Sequence, residues 1–272
     1  MKTNTIISAC VFIASLAALP ESQANTLLYG LDFNKLASSG ELSLDNKGSG
    51  TTSIGETGGW INYKEPTKEI DTPLHDKGYS HTPSASSFKI NDANGINGLS
   101  MTEGFSIGFH LLQDGSSNWK DAITFNFGST SIRMEKTDTN AWVFYGGGDT
   151  LNGKTVFDTS GANKWDHVGL TFKGNQLQIF VNGSLTTTFT TNLGDLNITE
   201  IKGGGSNNEA GTPITAGGIL LDNFAVYDGE LGESGFKYLT NNAMTSTLSV
   251  PEPTTATLSL LSLIALMMRR RV

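Results

Sequence analysis

Three consecutive stretches of alternating apolar residues constrain the fold of this chain more than any other feature. Val168, Leu170 and Phe172 occupy every second position, a Lys173-Gly174-Asn175-Gln176 turn follows, and Leu177, Ile179 and Val181 repeat the alternation. Side chains two apart share one face of a strand, so each run predicts a strand with a single buried face. Asn182-Gly183 is a residue pair that tolerates the positive φ of a two-residue hairpin turn. Leu185 to Phe189 then returns as a third strand. Loops this short join antiparallel neighbours, whereas a parallel crossover needs a dozen residues or more, so a parallel βαβ architecture is excluded.

The same period recurs upstream. Phe105, Ile107, Phe109 and Leu111 form one set, Ile123, Phe125 and Phe127 another, and Ile132 with Met134 a third. Ile219 to Tyr227 predicts a further strand, and Glu233 to Asn241 is the only helix expected between the termini. With 32 glycines and only 16% charged residues, the composition suits many strands and turns rather than a helical bundle. The expectation is one all-β domain over residues 25–240, followed by a polar linker at 241–249. A formal net charge of −8 makes nucleic acid a poor partner, because an acidic surface repels phosphates. The single cysteine, Cys10, lies in the leader described next, so the domain has no disulfide chemistry to draw on.

Residues 1–24 have the three parts of a secretory signal: Lys2, an apolar run from Ile6 to Leu19, and Ser22-Gln23-Ala24 as a small-x-small cleavage site. At the other end, residues 250–272 carry Val250-Pro251-Glu252-Pro253, an apolar run from Thr254 to Met268, and Arg269-Arg270-Arg271. In all three parts and their order this tail resembles the PEP-CTERM sorting signal of Gram-negative bacteria. The resemblance implies processing at the Pro-Glu-Pro by a membrane-embedded, exosortase-type enzyme. Physical chemistry agrees with it. The apolar run enters the bilayer as a short transmembrane helix, and the arginines stop transfer on the cytoplasmic side. At about 15 residues the run is shorter than the roughly 20 of a comfortable span, which suits a transient anchor. The expected course is export, inner-membrane anchoring, and release to the cell surface or extracellular matrix.

Lys164-Trp165-Asp166-His167-Val168, Leu170-Thr171-Phe172 and Leu177-Gln178-Ile179-Phe180-Val181-Asn182-Gly183 together resemble the core signature of LamG-like jelly-roll domains, in the concanavalin A-like lectin/glucanase superfamily. Gly218 to Asp228 is similar to that family's closing strand, Leu231 to Leu239 to its terminal helix, and Leu28 to Phe33 to its opening strand. Residues 35–100 match poorly and read as an insertion. The resemblance implies an antiparallel jelly-roll β-sandwich. It further implies a structural calcium ion held by Asp32 and Asp222, against the plainer alternative that both residues cap or bridge strand ends.

The superfamily includes glucanases, so catalysis must be weighed. Laminarinase-like members carry two glutamates and an aspartate on one strand, as paired hydrolytic carboxylates require. The nearest string, Glu69-Ile70-Asp71 followed by Thr72, Pro73 and Leu74, lacks the second glutamate, and Pro73 opposes a central strand. His75, Asp76 and His81 lack a third well-spaced metal ligand. The Gly146-Gly147-Gly148 and Gly203-Gly204-Gly205 runs lack the spacing of a phosphate or dinucleotide loop. His110 and His167 fall at outward positions of their strands. Trp60, Tyr63, Tyr79, Trp119, Trp142 and Tyr145 are the aromatic candidates for stacking on sugar faces, with Asp149 nearby to read hydroxyls. The functional expectation is a non-catalytic surface module that binds carbohydrate, an exopolysaccharide for instance, or another matrix component. A divergent glycoside hydrolase or lyase, and a purely structural matrix protein, stand as alternatives.

Overall fold

The computed structural model describes residues 24–31, 48–49, 88–91, 96, 99–113, 120–148, 150–161, 164–193, 197–203 and 219–249. In chain order the strands are β1 (Ala24–Leu31), β2 (Phe88–Asn91), β3 (Phe105–Gln113), β4 (Lys120–Phe127), β5 (Thr130–Lys136), β6 (Ala141–Gly146) and β7 (Lys154–Asp158). They continue with β8 (Trp165–Lys173), β9 (Gln176–Val181), β10 (Ser184–Thr190), β11 (Glu200–Gly203) and β12 (Ile219–Tyr227), then helix α1 (Glu233–Asn241) and β13 (Thr247–Ser249). Seven strands form one sheet in the order β10-β9-β8-β3-β12-β1-β13, and six form the other in the order β2-β11-β4-β5-β6-β7. This is an antiparallel β-sandwich of the jelly-roll kind.

The alternation that predicts the strands also builds the core. Phe105, Ile107, Phe109 and Leu111 of β3 and Val168, Leu170 and Phe172 of β8 are 0–2% exposed, as are Ile123, Phe125 and Phe127 of β4 in the other sheet. Aromatic contacts tie the layers: Phe172 stacks on Phe105 at 4.8 Å between ring centroids and meets Phe125 at 5.7 Å and Phe127 at 5.8 Å across the sandwich. Each such side chain contributes roughly 1.5–3 kcal/mol by leaving water. The β9–β10 turn forms as expected, with Asn182 at φ 51° and Gly183 at φ 81°.

α1 lies on the outer face of the seven-stranded sheet. Gly108 of β3 and Gly169 of β8 are directly opposed, and their missing side chains leave the space that Leu239 and Phe236 occupy. The segment leading into the helix is fastened from the same sheet: Ser106 Oγ donates to the Gly229 carbonyl at 2.7 Å, and Thr171 Oγ1 donates to the Leu231 carbonyl at 2.9 Å.

Two features differ from the sequence expectation. Residues 241–249, expected as a linker, carry β13, because Leu248 supplies a buried apolar residue and the Ser246 carbonyl accepts the Leu27 amide at 2.9 Å. The domain also contains β2, β6, β7 and β11, which the alternation did not reveal. The leader and the PEP-type tail (Val250, Pro251, Glu252, Pro253, Arg269, Arg270 and Arg271) lie outside the described residues. Among the described residues no helix is long and apolar enough to cross a membrane.

Candidate functional site

The outer face of the six-stranded sheet is polar. Register places Lys202 of β11 opposite Thr124 of β4, Thr124 opposite Arg133 of β5, and Arg133 opposite Tyr145 of β6. These four residues form a row across four adjacent strands, on the side away from the core residues Ile123, Ile132 and Phe144. A second row holds Glu200, Asn126 and Ser131. A third holds Asp121 and Glu135, which face each other on β4 and β5.

Side chains knit these rows together. Lys202 Nζ lies 2.8 Å from Glu200 Oε1, and the same oxygen accepts the Asn126 amide at 2.7 Å. Arg133 stands between two acids, with Nη1 3.8 Å from Asp121 Oδ2 and Nη2 3.7 Å from Glu135 Oε2. Its guanidinium also sits 5.5 Å from the centre of the Tyr145 ring, a cation–π contact. The two acids are nearly inaccessible, whereas 35% of the Arg133 side chain is exposed. Asp121 Oδ1 is buried and accepts no hydrogen bond.

Burial pushes the Asp121 carboxyl up to about 7; Arg133 opposes that shift and Glu135 adds to it. Burial raises Glu135 as well, again opposed by Arg133. One cation near 3.8 Å from each acid does not offset the loss of their hydration. The face therefore presents a partly exposed guanidinium, an aromatic ring, an amide and an ammonium group, above a buried carboxyl whose ionisation is pushed up to about 7. Such groups read a polyhydroxylated ligand, since each hydroxyl both donates and accepts.

Of the residues singled out in the sequence, Tyr145 belongs to this face. The turn after it, Gly146-Gly147-Gly148, has positive φ at all three positions. A side chain at Gly146 would strike the Ser131 carbonyl at 2.0 Å, so glycine there lets β5 and β6 close and holds Tyr145 beside Arg133. Trp142 is a packing residue: it is 1% exposed and stacks on Phe157 at 6.4 Å. Trp60, Tyr63, Tyr79, Trp119, Asp149 and Asp32 lie outside the described residues. Asp222 is buried on β12, and its Oδ1 accepts the Asn223 backbone amide at 2.8 Å. Among the described residues no group of three acidic, histidine or cysteine side chains is arranged to hold a metal.

His110 and His167 take the outward positions expected of them, but beneath α1 rather than in solvent. Each is 2% exposed, their rings are 4.8 Å apart, and His110 Nε2 is 3.3 Å from the Thr240 carbonyl. Burial, and secondarily His110, holds the His167 imidazole well below its ordinary range. The helix thus covers this face; on the other sheet, Arg133 and Lys202 keep 35% and 20% of their side chains exposed, and their row is the candidate site.

The sequence profile described as the concanavalin A-like lectin/glucanases superfamily matches residues 83–234, more than half of the chain. The chain belongs to this superfamily. Its sandwich is similar to domain 4 of AbnA, a GH43 extracellular arabinanase from Geobacillus stearothermophilus solved with arabinotriose, at 16% identity and a TM-score of 0.50, covering 80% of this chain and all of that one. It is similar also to the binding domain of botulinum neurotoxin serotype D, at 16% identity and a TM-score of 0.53, covering 79% of this chain and 50% of that one. A third similarity is to the Trypanosoma rangeli sialidase, at 12% identity and a TM-score of 0.51, covering 79% and 32%. The chain spans half or less of the length of the latter two. At these identities the likeness shows the superfamily's fold. No curated protein matches the chain significantly.

Proposed function

We propose that this chain is a carbohydrate-binding module whose ligand lies on the outer face of the six-stranded sheet. The observation that carries this reading is the cross-strand row Lys202–Thr124–Arg133–Tyr145, flanked by the buried acids, on the sheet face that α1 does not cover. Membership of a superfamily of lectins and glucanases supports it, as does the arabinotriose bound by the AbnA domain. The reading of the chain's ends adds a location: secretory export, an inner-membrane anchor in residues 250–272, processing by an exosortase-type enzyme, and display at the cell surface or in the matrix. The test is a glycan array probed with the full chain, its Tyr145→Ala variant and its Lys202→Ala variant. Wild-type binding that weakens at least tenfold in both variants is expected. Silence of the folded protein, or binding untouched by both changes, refutes the site.

A second reading is favoured by Asp121 and Glu135. They face each other on adjacent strands and both contact one guanidinium, and glycoside hydrolysis uses a pair of neighbouring carboxylates. A carboxyl held near 7 is a general acid at neutral pH. Release of reducing ends from an array-positive glycan, abolished by Asp121→Asn, would establish hydrolysis; intact glycan after prolonged incubation would dismiss it.

A further inference from the structure

We propose that α1 is an acid-released cover: protonation of His167 lifts the helix from the seven-stranded sheet while the sandwich beneath it stays folded. The place is the interface between β3, β8 and the helix. His167 is buried there against His110 of the neighbouring strand, with the two rings 4.8 Å apart. Phe236 of α1 lies over it at 6.1 Å between ring centroids, and Leu239 fills the space above Gly108 beside its Nε2. The Nδ1 of His167 is buried and makes no hydrogen bond.

Among the described residues no carboxylate contacts this ring. β3 contributes His110, whose charge would oppose a charge on His167. Asp222 of β12 stands opposite His110 in register, so two strand spacings, roughly 9–10 Å at the backbone, separate it from His167. Asp166 turns to the other side of β8 by strand alternation, where Ser160 and Asn182 hold it. On α1 itself Glu233, Lys237 and Tyr238 are exposed, and Glu233 accepts the Leu185 amide at 3.0 Å. β9 and β10 bring no titratable side chain. An imidazolium here would be both desolvated and unpaired, so burial holds the ring neutral, well below its ordinary range. Water reaches it when its cover, α1, moves aside.

The helix is the part that can yield. It has nine residues, and isolated helices shorter than about 12–15 are marginal in water. Gly232 gives its N-terminus no side-chain cap, and its last turn carries no basic residue. Its large buried side chains, Phe236 and Leu239, lie outside the core cluster between the two sheets. The chain is tied down on either side of it: Ser106 and Thr171 fasten the carbonyls of Gly229 and Leu231, and the Ser246 carbonyl accepts the Leu27 amide. Residues 232–242 can thus rise as a unit without unzipping a β-ladder, which is a local opening rather than global unfolding. Lifting α1 uncovers both imidazoles and the apolar seat formed by Gly108, Gly169 and Phe180. An imidazole released into water titrates near 6.5, so each pH unit below that multiplies the open population about tenfold, or about a hundredfold by pH 4.5.

The test is amide hydrogen exchange of the full chain at pH 7.5 and 4.5, each rate divided by the intrinsic rate of an unfolded chain at that pH. Protection of Phe236 to Asn241 is expected to fall about a hundredfold on acidification, while β3, β8 and β9 keep theirs. In His167→Gln and His167→Phe, which place no titrating group there, the helix is expected to lose less than tenfold. Unchanged helix protection in the wild type at pH 4.5 overturns the proposal. An equal fall in helix and strands also overturns it, because the acid effect is then global. A hundredfold fall that survives in both variants overturns it too, placing the titrating group elsewhere.

Discussion

The seat of α1 depends on a glycine whose replacement has a calculable consequence. An alanine at position 169 would put its Cβ 2.4 Å from Phe236 Cδ1 and 2.6 Å from both Cγ and Cε1. Ordinary carbon contacts lie near 3.5–4.0 Å, so the ring must retreat by about an ångström. Its retreat is opposed by Phe180, 4.7 Å away centroid to centroid, and by His167 at 6.1 Å. Overpacking of this kind costs about 1–3 kcal/mol. The entropy lost from the unfolded chain on replacing glycine returns roughly 0.4–1 kcal/mol. Gly169→Ala is therefore predicted to destabilise the domain by about 1–2 kcal/mol, a fall of roughly 2–8 °C in Tm at this size. Gly108→Ala provides the control. Its Cβ would meet His167 Nε2 and the flexible end of Leu239 at 3.3 Å, so a change under about 0.5 kcal/mol is expected. Urea unfolding of both variants and of Gly169→Ala/Phe236→Leu measures the effect. The smaller leucine should restore part of the loss, giving a coupling above 0.5 kcal/mol. If Gly169→Ala is as stable as wild type, or the double variant is additive, the glycine slot does not seat the helix.

Three further outcomes follow from polar groups whose surroundings the fold fixes. His167 is neutral in the fold, whereas an unfolded histidine titrates near 6.5. Its contribution is therefore complete above about pH 6.5 and is lost on acidification, at up to about 1.4 kcal/mol per pH unit; denaturation at pH 5.5 and 7.5 should show this loss in wild type and not in His167→Gln. Asp121 runs the other way, because a raised carboxyl favours folding at low pH and costs stability as the pH rises through 7. Asp121→Asn should gain roughly 1–3 kcal/mol at pH 8 and little at pH 4, read from the same unfolding curves. Asn182 donates to Asp166 Oδ1 at 3.0 Å, accepts the His167 amide at 2.9 Å and holds φ 51°, so Asn182→Ala should cost about 2 kcal/mol by thermal melting, against less than 0.5 kcal/mol for an exposed residue such as Thr188.

The β8–β9–β10 meander, β12 and α1 were legible because each carries its own local signal: strict alternation, an Asn-Gly turn, or an isolated helical stretch. β6 was not, because Ala141-Trp142-Val143-Phe144-Tyr145 is apolar at every position, and its period cannot say which side chains point inward. Trp142 and Tyr145 thus looked alike in sequence, yet one packs in the core and the other lies on the polar face. Arg133 and Glu135 could have been placed, since they alternate with Ile132 and Met134 and so must face outward. Asp121 could not. Counting by twos from Ile123 puts it in the core, and only the register shift between Asp121 and Ile123 turns it to the face it shares with Glu135. Opposition of residues 14 apart in sequence is set by that bulge together with strand register, which no local window contains.

The central claim is that the outer face of the six-stranded sheet holds the ligand. Amide chemical-shift mapping of the isotope-labelled full chain, titrated with the tightest-binding glycan from the array, tests it most directly. The account predicts saturable shifts clustered on Thr124, Arg133, Tyr145 and Lys202 and their strand neighbours, with α1 and the Gly108–Gly169 face unmoved. Shifts confined to α1, or spread over loops with β4, β5 and β6 silent, would contradict it.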